Sequence, residues 1–159
     1  MMVDVTRKDE VYREATATGK ILLRDRTLEA IRRGEVKKGD PIIVSKVVAI
    51  EAAKRTPQDL PFCHSVPLTG VDADVALEDD GVRVTVTVRA IARTGVEMEA
   101  LNGVTAALLN VWDMVKYLEK DEDGNYPWTR ISDVRVLRKV KRAPGGGDRR
   151  RGGSSGRVN

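Results

Sequence analysis

The 159-residue chain has one histidine and one cysteine, and it sets them side by side: Phe62, Cys63 and His64 stand in PFCHSVPLTG, between Pro61 and Pro67. An imidazole titrates near neutrality, and a thiolate is a nucleophile or a metal ligand. A lone cysteine closes no internal disulfide, and one cysteine with one histidine falls short of a structural zinc set. Neighbouring side chains of an extended segment point to opposite sides, so Cys63 and His64 are badly placed to share a proton as nucleophile and base. Taken alone, His64 also reads as a hydrogen-bonded loop residue.

Three other constellations carry charge in patterns that chemistry can use. Lys54 and Arg55 in KRTPQDLPFCH lie where a helix should end, which suits cations at the negative end of a helix dipole. Glu97 and Glu99 flank Met98 in TGVEMEALNG; acidic residues favour a helix N-terminus, and the same carboxylates could accept from an N–H-rich, guanine-like edge. Asp113 and Lys116 in WDMVK are three apart and share a helix face. They make either an exposed ion pair or a partly buried acid/base couple whose members tune each other.

These groups have to be held by a scaffold, and the composition describes one. The mass of 17.5 kDa fits one compact domain, and 41% hydrophobic with 33% charged residues is a globular balance. The tail APGGGDRRRGGSSGRVN, residues 143 to 159, holds four arginines and one aspartate, so three of the four net positive charges lie there. Residues 1 to 142 are therefore expected to fold as a nearly neutral single domain, and residues 143 to 159 to be a disordered Gly/Arg-rich tail. The lone cysteine, the absence of a long apolar run and the charged N-terminus suggest a soluble protein of the cytoplasm.

Along the chain, ATGKILL reads as a strand and DRTLEAIRRG as a short helix opened by Asp25 and closed by Gly34. GDPIIVSKVVAIEAAKRTP reads as helix despite its β-branched residues, because Asp40 can cap it, Pro41 suits its first position and Pro57 stands beyond its end. LTGVDADVAL and GVRVTVTVRAIAR alternate with period two and make an antiparallel hairpin with one wet face. Residues 96 to 120 are helical by the spacing of Leu101, Val104, Leu108, Trp112 and Val115, and ISDVRVLRKV closes the set as a strand. The order predicts an α+β, ferredoxin-like β-α-β-β-α-β fold, with an antiparallel sheet and helices on one face. RNA-recognition modules share that fold, but VRVTVTV offers no aromatic on which a base could stack.

In their order, MVDVTRKDEVYREATATG, KKGDPI, EAAKRTPQDLPFCHSVPLTGVDADV, RTGVEMEALNGVTAALLNVWDMVK and VRVLRK resemble the cyclic pyranopterin monophosphate synthase family, molybdenum cofactor biosynthesis protein C. The resemblance implies a lyase. It takes 3′,8-cyclo-7,8-dihydroguanosine 5′-triphosphate to cyclic pyranopterin monophosphate and diphosphate, with no redox step, no cofactor and no metal-ligating residues. It also implies a homohexamer built as a trimer of dimers, with sites at dimer interfaces and no nucleic-acid or membrane partner. Asp113 matches the family's active-site aspartate, with Lys116 its partner one turn on and Lys38 of KKGD a third acid/base or electrostatic candidate. Phe62, Cys63 and His64 match its substrate-binding loop, and Met98 and Glu99, with Glu97 beside them, its second binding pair. Arg13, Lys38, Lys54, Arg55 and Lys139 sit at its basic positions, where a triphosphate needs cations. The chain departs from the family at Phe62, where leucine is usual, and at Ser65, where proline is common. The long link KYLEKDEDGNYPWTRISDV resembles the archaeal branch. Two other readings stay open: a non-catalytic ferredoxin-like nucleotide or RNA-binding module, and a purely structural partner in a cofactor pathway.

Overall fold

Strand residues that alternate in burial, and helices that lay one apolar side on them, give a sheet covered on a single face. The computed structural model describes residues 1–143, so the expected disordered tail lies, but for Ala143, outside the described residues. The elements are β1 (Val11–Leu22), α1 (Asp25–Arg33), α2 (Pro41–Lys54), α3 (Thr56–Asp59), β2 (Leu68–Glu78), β3 (Gly81–Ala92), α4 (Glu97–Glu119) and β4 (Arg130–Arg142). The four strands pair antiparallel in the order β2-β3-β1-β4, which is the ferredoxin-like arrangement that the element order predicts.

Strand β3 supplies the floor of the core. Val82, Val84, Val86 and Val88 are fully buried on one face, and Ala100, Val104, Ala107, Leu108, Val111 and Val115 of α4 are buried against the same core. Each such valine or leucine contributes roughly 1.5–3 kcal/mol of burial. The other face keeps its alternation polar: Thr16 and Thr87 hydrogen-bond across β1 and β3 at 2.9 Å, and Arg89 pairs with Glu14 at 3.3 Å and with Asp72. That is the wet face expected of the hairpin.

Helix α2 forms as its capping residues require. The Asp40 carboxylate accepts from the amides of Ile42 and Ile43, with Pro41 at the first position. It leans on α4 closely because Gly103 has no side chain; a Cβ there would lie 3.0 Å from the Ala49 carbonyl oxygen. Asn102 Nδ2 donates to the Ala52 carbonyl at 2.9 Å and Asn110 Nδ2 to Ser45 Oγ at 3.1 Å. Gly34 ends α1 at φ 67°, in the left-handed region glycine tolerates.

Three details differ from the sequence reading. Strand β1 starts at Val11 rather than at Ala17, because residues 11–16 pair with β3 on one side and largely with β4 on the other; that pairing outweighs the weak local preference of VYREAT. Asp25 does not cap α1: Arg24 is the N-cap and makes no side-chain cap bond. The buried carboxylate of Glu119, from the far end of α4, accepts from the Arg24 amide and the Thr27 and Thr129 hydroxyls instead. A further single turn, α3, follows α2 directly, with Pro57 near its start.

Candidate active site

The acid/base candidates come together from two separate segments. The loop of residues 35–40 reaches α4, where the Lys37 amide donates to Tyr117 Oη at 2.9 Å. Beside that anchor Lys38 Nζ lies 2.7 Å from Asp113 Oδ2, and Lys116 Nζ lies 3.1 Å from Asp113 Oδ1. Each carboxylate oxygen thus faces its own ammonium group. Side-chain exposures of 47% for Lys38, 51% for Asp113 and 45% for Lys116 leave the trio half open in one chain, so the couple is not buried here. Lys38 first and Lys116 second hold the Asp113 carboxyl below its ordinary value of 3.8. The two ammonium groups thus tune Asp113 away from neutrality.

The loop Leu60 to His64 and the start of α4 wall a cleft of about 420 Å³, closed by Thr94, Gly95, Glu97 and Met98. Phe62 and Met98 expose 65% and 44% of their surface there. Cys63 and His64 engage different partners, as their adjacency requires: Cys63 Sγ sits 3.8 Å from Glu99 Oε1, and His64 Nε2 sits 2.6 Å from the Val3 carbonyl oxygen. Burial, then the Glu99 charge, pushes the Cys63 thiol up, which disfavours the thiolate a nucleophile needs. Glu99 is 2% exposed, and its Oε2 has no hydrogen-bond partner. Burial pushes its carboxyl up as well, with a further rise from Glu97. A buried acid kept toward its neutral form can donate as well as accept.

Cations surround this end of α4 unevenly. Lys139 Nζ on β4 pairs with Glu97 Oε1 at 2.6 Å. Burial pushes the Glu97 carboxyl up, but Lys139, with Arg13 contributing, more than offsets this and leaves it below 4.5. Arg13 Nη2 donates to the Arg93 carbonyl at 3.3 Å, bracing the turn that leads into α4. Lys54 and Arg55 lie at the end of α2; Arg55 is its C-cap and pairs with Asp59 at 3.3 Å, so the helix-terminal reading of that pair is satisfied within the chain. Lys54 borders a separate hollow of about 410 Å³ with Val66 and Gly70. A further hollow, about 570 Å³ beside Arg24, Lys120, Asp123 and Trp128, contains none of the predicted site residues.

The two clusters do not meet in one chain. Glu97 opens α4 and Asp113 lies sixteen residues on, about 24 Å along the axis at the α-helical rise. Among the described residues no group of three or more His, Cys, Asp or Glu side chains converges as metal ligands, and no helix is long and apolar enough to cross a membrane.

The amino-acid sequence that builds this arrangement has counterparts among known proteins. The profile of the MoaC family matches residues 2–142. The chain belongs to the MoaC family. Relatives include a protein of Thermococcus kodakarensis, 53% identical over 140 residues that cover 88% of this chain and 90% of that one. A protein of Pyrococcus abyssi is 51% identical, covering 88% of each chain, and one of Methanosarcina acetivorans is 51% identical, covering 88% and 89%. All three carry the name probable cyclic pyranopterin monophosphate synthase. The match spans every element from β1 to β4 and both clusters of this MoaC chain.

Sequence reasoning did not find Glu119 or Asn102. The first reads as one more acidic residue in a charged link. Asn102 lies within TGVEMEALNG, but its donation to Asp59 at 2.9 Å depends on α3, which the sequence did not announce. The Val3 carbonyl on His64 is a backbone group, for which no side-chain pattern exists.

Proposed function

We propose that this protein is a cyclic pyranopterin monophosphate synthase, a cytoplasmic lyase whose catalytic domain is residues 1–142. The observation that carries the reading is the match to relatives of that name over 88% of the chain, together with the Lys38–Asp113–Lys116 trio. The substrate is the cyclo-dihydroguanosine triphosphate, and the products are cyclic pyranopterin monophosphate and diphosphate. A hydroxyl of the substrate attacks the α-phosphorus, the new P–O bond closes the cyclic phosphate, and the bond to the diphosphate breaks. Asp113 takes the hydroxyl proton, while Lys38 and Lys116 offset the charge that gathers on the phosphoryl oxygens. Opening and reclosing the base-derived rings needs further proton transfers, which the same trio serves.

The cleft at Phe62, Cys63, His64, Met98 and Glu99 holds the base-derived part, with Glu97 in support, and Arg13, Lys54, Arg55 and Lys139 supply phosphate contacts. The trio and the cleft are about 24 Å apart along one helix, so a shared site needs the trio of one copy beside the cleft of another. A homohexamer made as a trimer of dimers meets that requirement. Neither nucleic acid nor a membrane takes part.

The test is to give the purified protein the cyclo-dihydroguanosine triphosphate and follow diphosphate and pterin together. Both should appear in equal amounts. Tight binding with neither product would sink the enzyme reading in favour of a nucleotide-binding module.

A further inference from the structure

Residues 3–8 lie outside every helix and strand, yet they are held in shape. Asp4 Oδ1 accepts from the Thr6 amide at 2.8 Å and from Thr6 Oγ1 at 2.6 Å, and the Lys8 amide donates to the Val5 carbonyl at 3.0 Å. These bonds make an Asx turn followed by a reverse turn. The folded strap delivers the Val3 carbonyl oxygen to His64 Nε2 at 2.6 Å. Val5 of this segment and Glu10 just beyond it, with His64, Ser65 and Arg93, wall a small hollow of about 160 Å³. His64 also lines the larger cleft with Glu97 and Met98. The imidazole is therefore the partition between the strap and the cleft.

A carbonyl oxygen only accepts, so the ring nitrogen facing it must be the donor. That assigns the hydrogen of the neutral ring to Nε2 and the lone pair to Nδ1. We infer that residues 3–8 are a positioning strap for His64, whose Val3 carbonyl locks the imidazole as the Nε2–H tautomer and presents Nδ1 as an acceptor to an N–H or O–H of the substrate. The substrate part of this inference rests on the function proposed above; the bond between strap and ring does not. Asp4 is the keystone of the strap, because its carboxylate makes both bonds to Thr6.

His64 is the only histidine, so every imidazole signal in a ¹⁵N spectrum belongs to it. Three variants of the full chain separate the possibilities: deletion of residues 2–6, Asp4→Ala, and Asp4→Asn, which keeps an acceptor oxygen for Thr6. Circular dichroism and a melting curve confirm that each is folded, which the exposed position of the strap favours. The wild type should show one slowly exchanging Nε2–H and a bare Nδ1. The Nε2–H signal should vanish in the deletion, weaken in Asp4→Ala and persist in Asp4→Asn. Turnover should fall about tenfold in the first two, the scale of a misplaced contact group, and return in Asp4→Asn. An Nδ1–H tautomer, or imidazole signals unmoved by the deletion, would overturn the strap. A released ring with wild-type turnover would overturn its positioning role. A wild-type protein inert toward the substrate would remove the functional reading, while the imidazole spectra would still decide whether the strap holds the ring.

Discussion

Asp113 lies between two ammonium groups, at 2.7 Å from Lys38 and 3.1 Å from Lys116, and this sets what it can do as a base. Its carboxyl is held below 3.8, by Lys38 above all, so it is ionised throughout the neutral range, and in the proposed reaction it would accept a proton by position rather than by basicity. Asp113→Asn keeps the shape and should cost on the order of 100-fold in turnover, the scale of a general acid or base. Lys116→Ala should be comparably poor, and the double variant little worse than either, since members of a unit are not additive. Single-turnover diphosphate release measures all three, and near-normal rates for Asp113→Asn would reduce the trio to a surface ion pair. Lys38→Met removes the largest cause of the depressed pKa, so any acid limb due to Asp113 should move to higher pH in that variant's rate profile. Glu99 works the other way. Burial raises its carboxyl, so between its unfolded and folded pKa the native state binds more protons, and stability falls as pH rises through that window. Glu99→Gln keeps the neutral form, and its melting temperature relative to the wild type should climb as pH rises from the ordinary carboxylate range, about 4, toward neutrality. A constant difference across that range would mean that Glu99 ionises in the fold as easily as in the open chain.

At the scale of elements, the buried Glu119 joins three of them. It ends α4, accepts from the amide that precedes α1 and from Thr27 within it, and accepts from Thr129 at 2.7 Å just before β4. A cap supplied from a distant element does what the expected Asp25 cap does not, and it fixes α1 and the start of β4 against the end of α4. Removing one partner of such a group leaves the others buried and unpaired, which costs about 1–3 kcal/mol for each neutral group so stranded. Glu119→Ala should therefore lower the urea midpoint clearly more than Glu29→Ala, whose ion pairs on α1 are exposed. Equal midpoints would show that water replaces the carboxylate without loss.

The proposed function requires two clusters about 24 Å apart on α4 to act on one substrate. Exposed apolar residues lie at the cleft, Phe62 and Met98, and others are on α2, Ile43 and Val47, and on the edge strand β4, Leu137. If one site takes its trio from one copy and its cleft from another, two inactive variants should complement each other. Asp113→Asn and His64→Ala proteins, denatured together and refolded as a mixture, should recover about a quarter of wild-type sites per dimer, as random pairing of two-fold related sites gives. Activity that stays at the level of the separate variants would confine each site to one chain. Sedimentation of an active monomer would do the same.

Patterns that repeat along the chain were legible without the structure. The alternation of GVRVTVTVRAIA, the Asp40–Pro41 start of α2 and the apolar spacing of α4 report on faces and helix ends, which local stereochemistry sets. They led to the right element order and hence to the ferredoxin-like sheet. The motifs PFCH, VEME and WDMVK named the candidate residues, and the family motifs located Lys38. What the sequence did not contain were meetings between distant segments. Lys38 reaches Asp113 only because the loop after α1 is anchored to Tyr117. Strand β1 extends back to Val11 only because two neighbours supply its hydrogen bonds. Glu119 caps α1 from the other end of the fold, and Val3 meets His64 through a backbone carbonyl that has no side-chain signature. Local order follows from the spacing of residue types, whereas pairing across the fold follows from where packing brings the segments, and only the tertiary structure decided that.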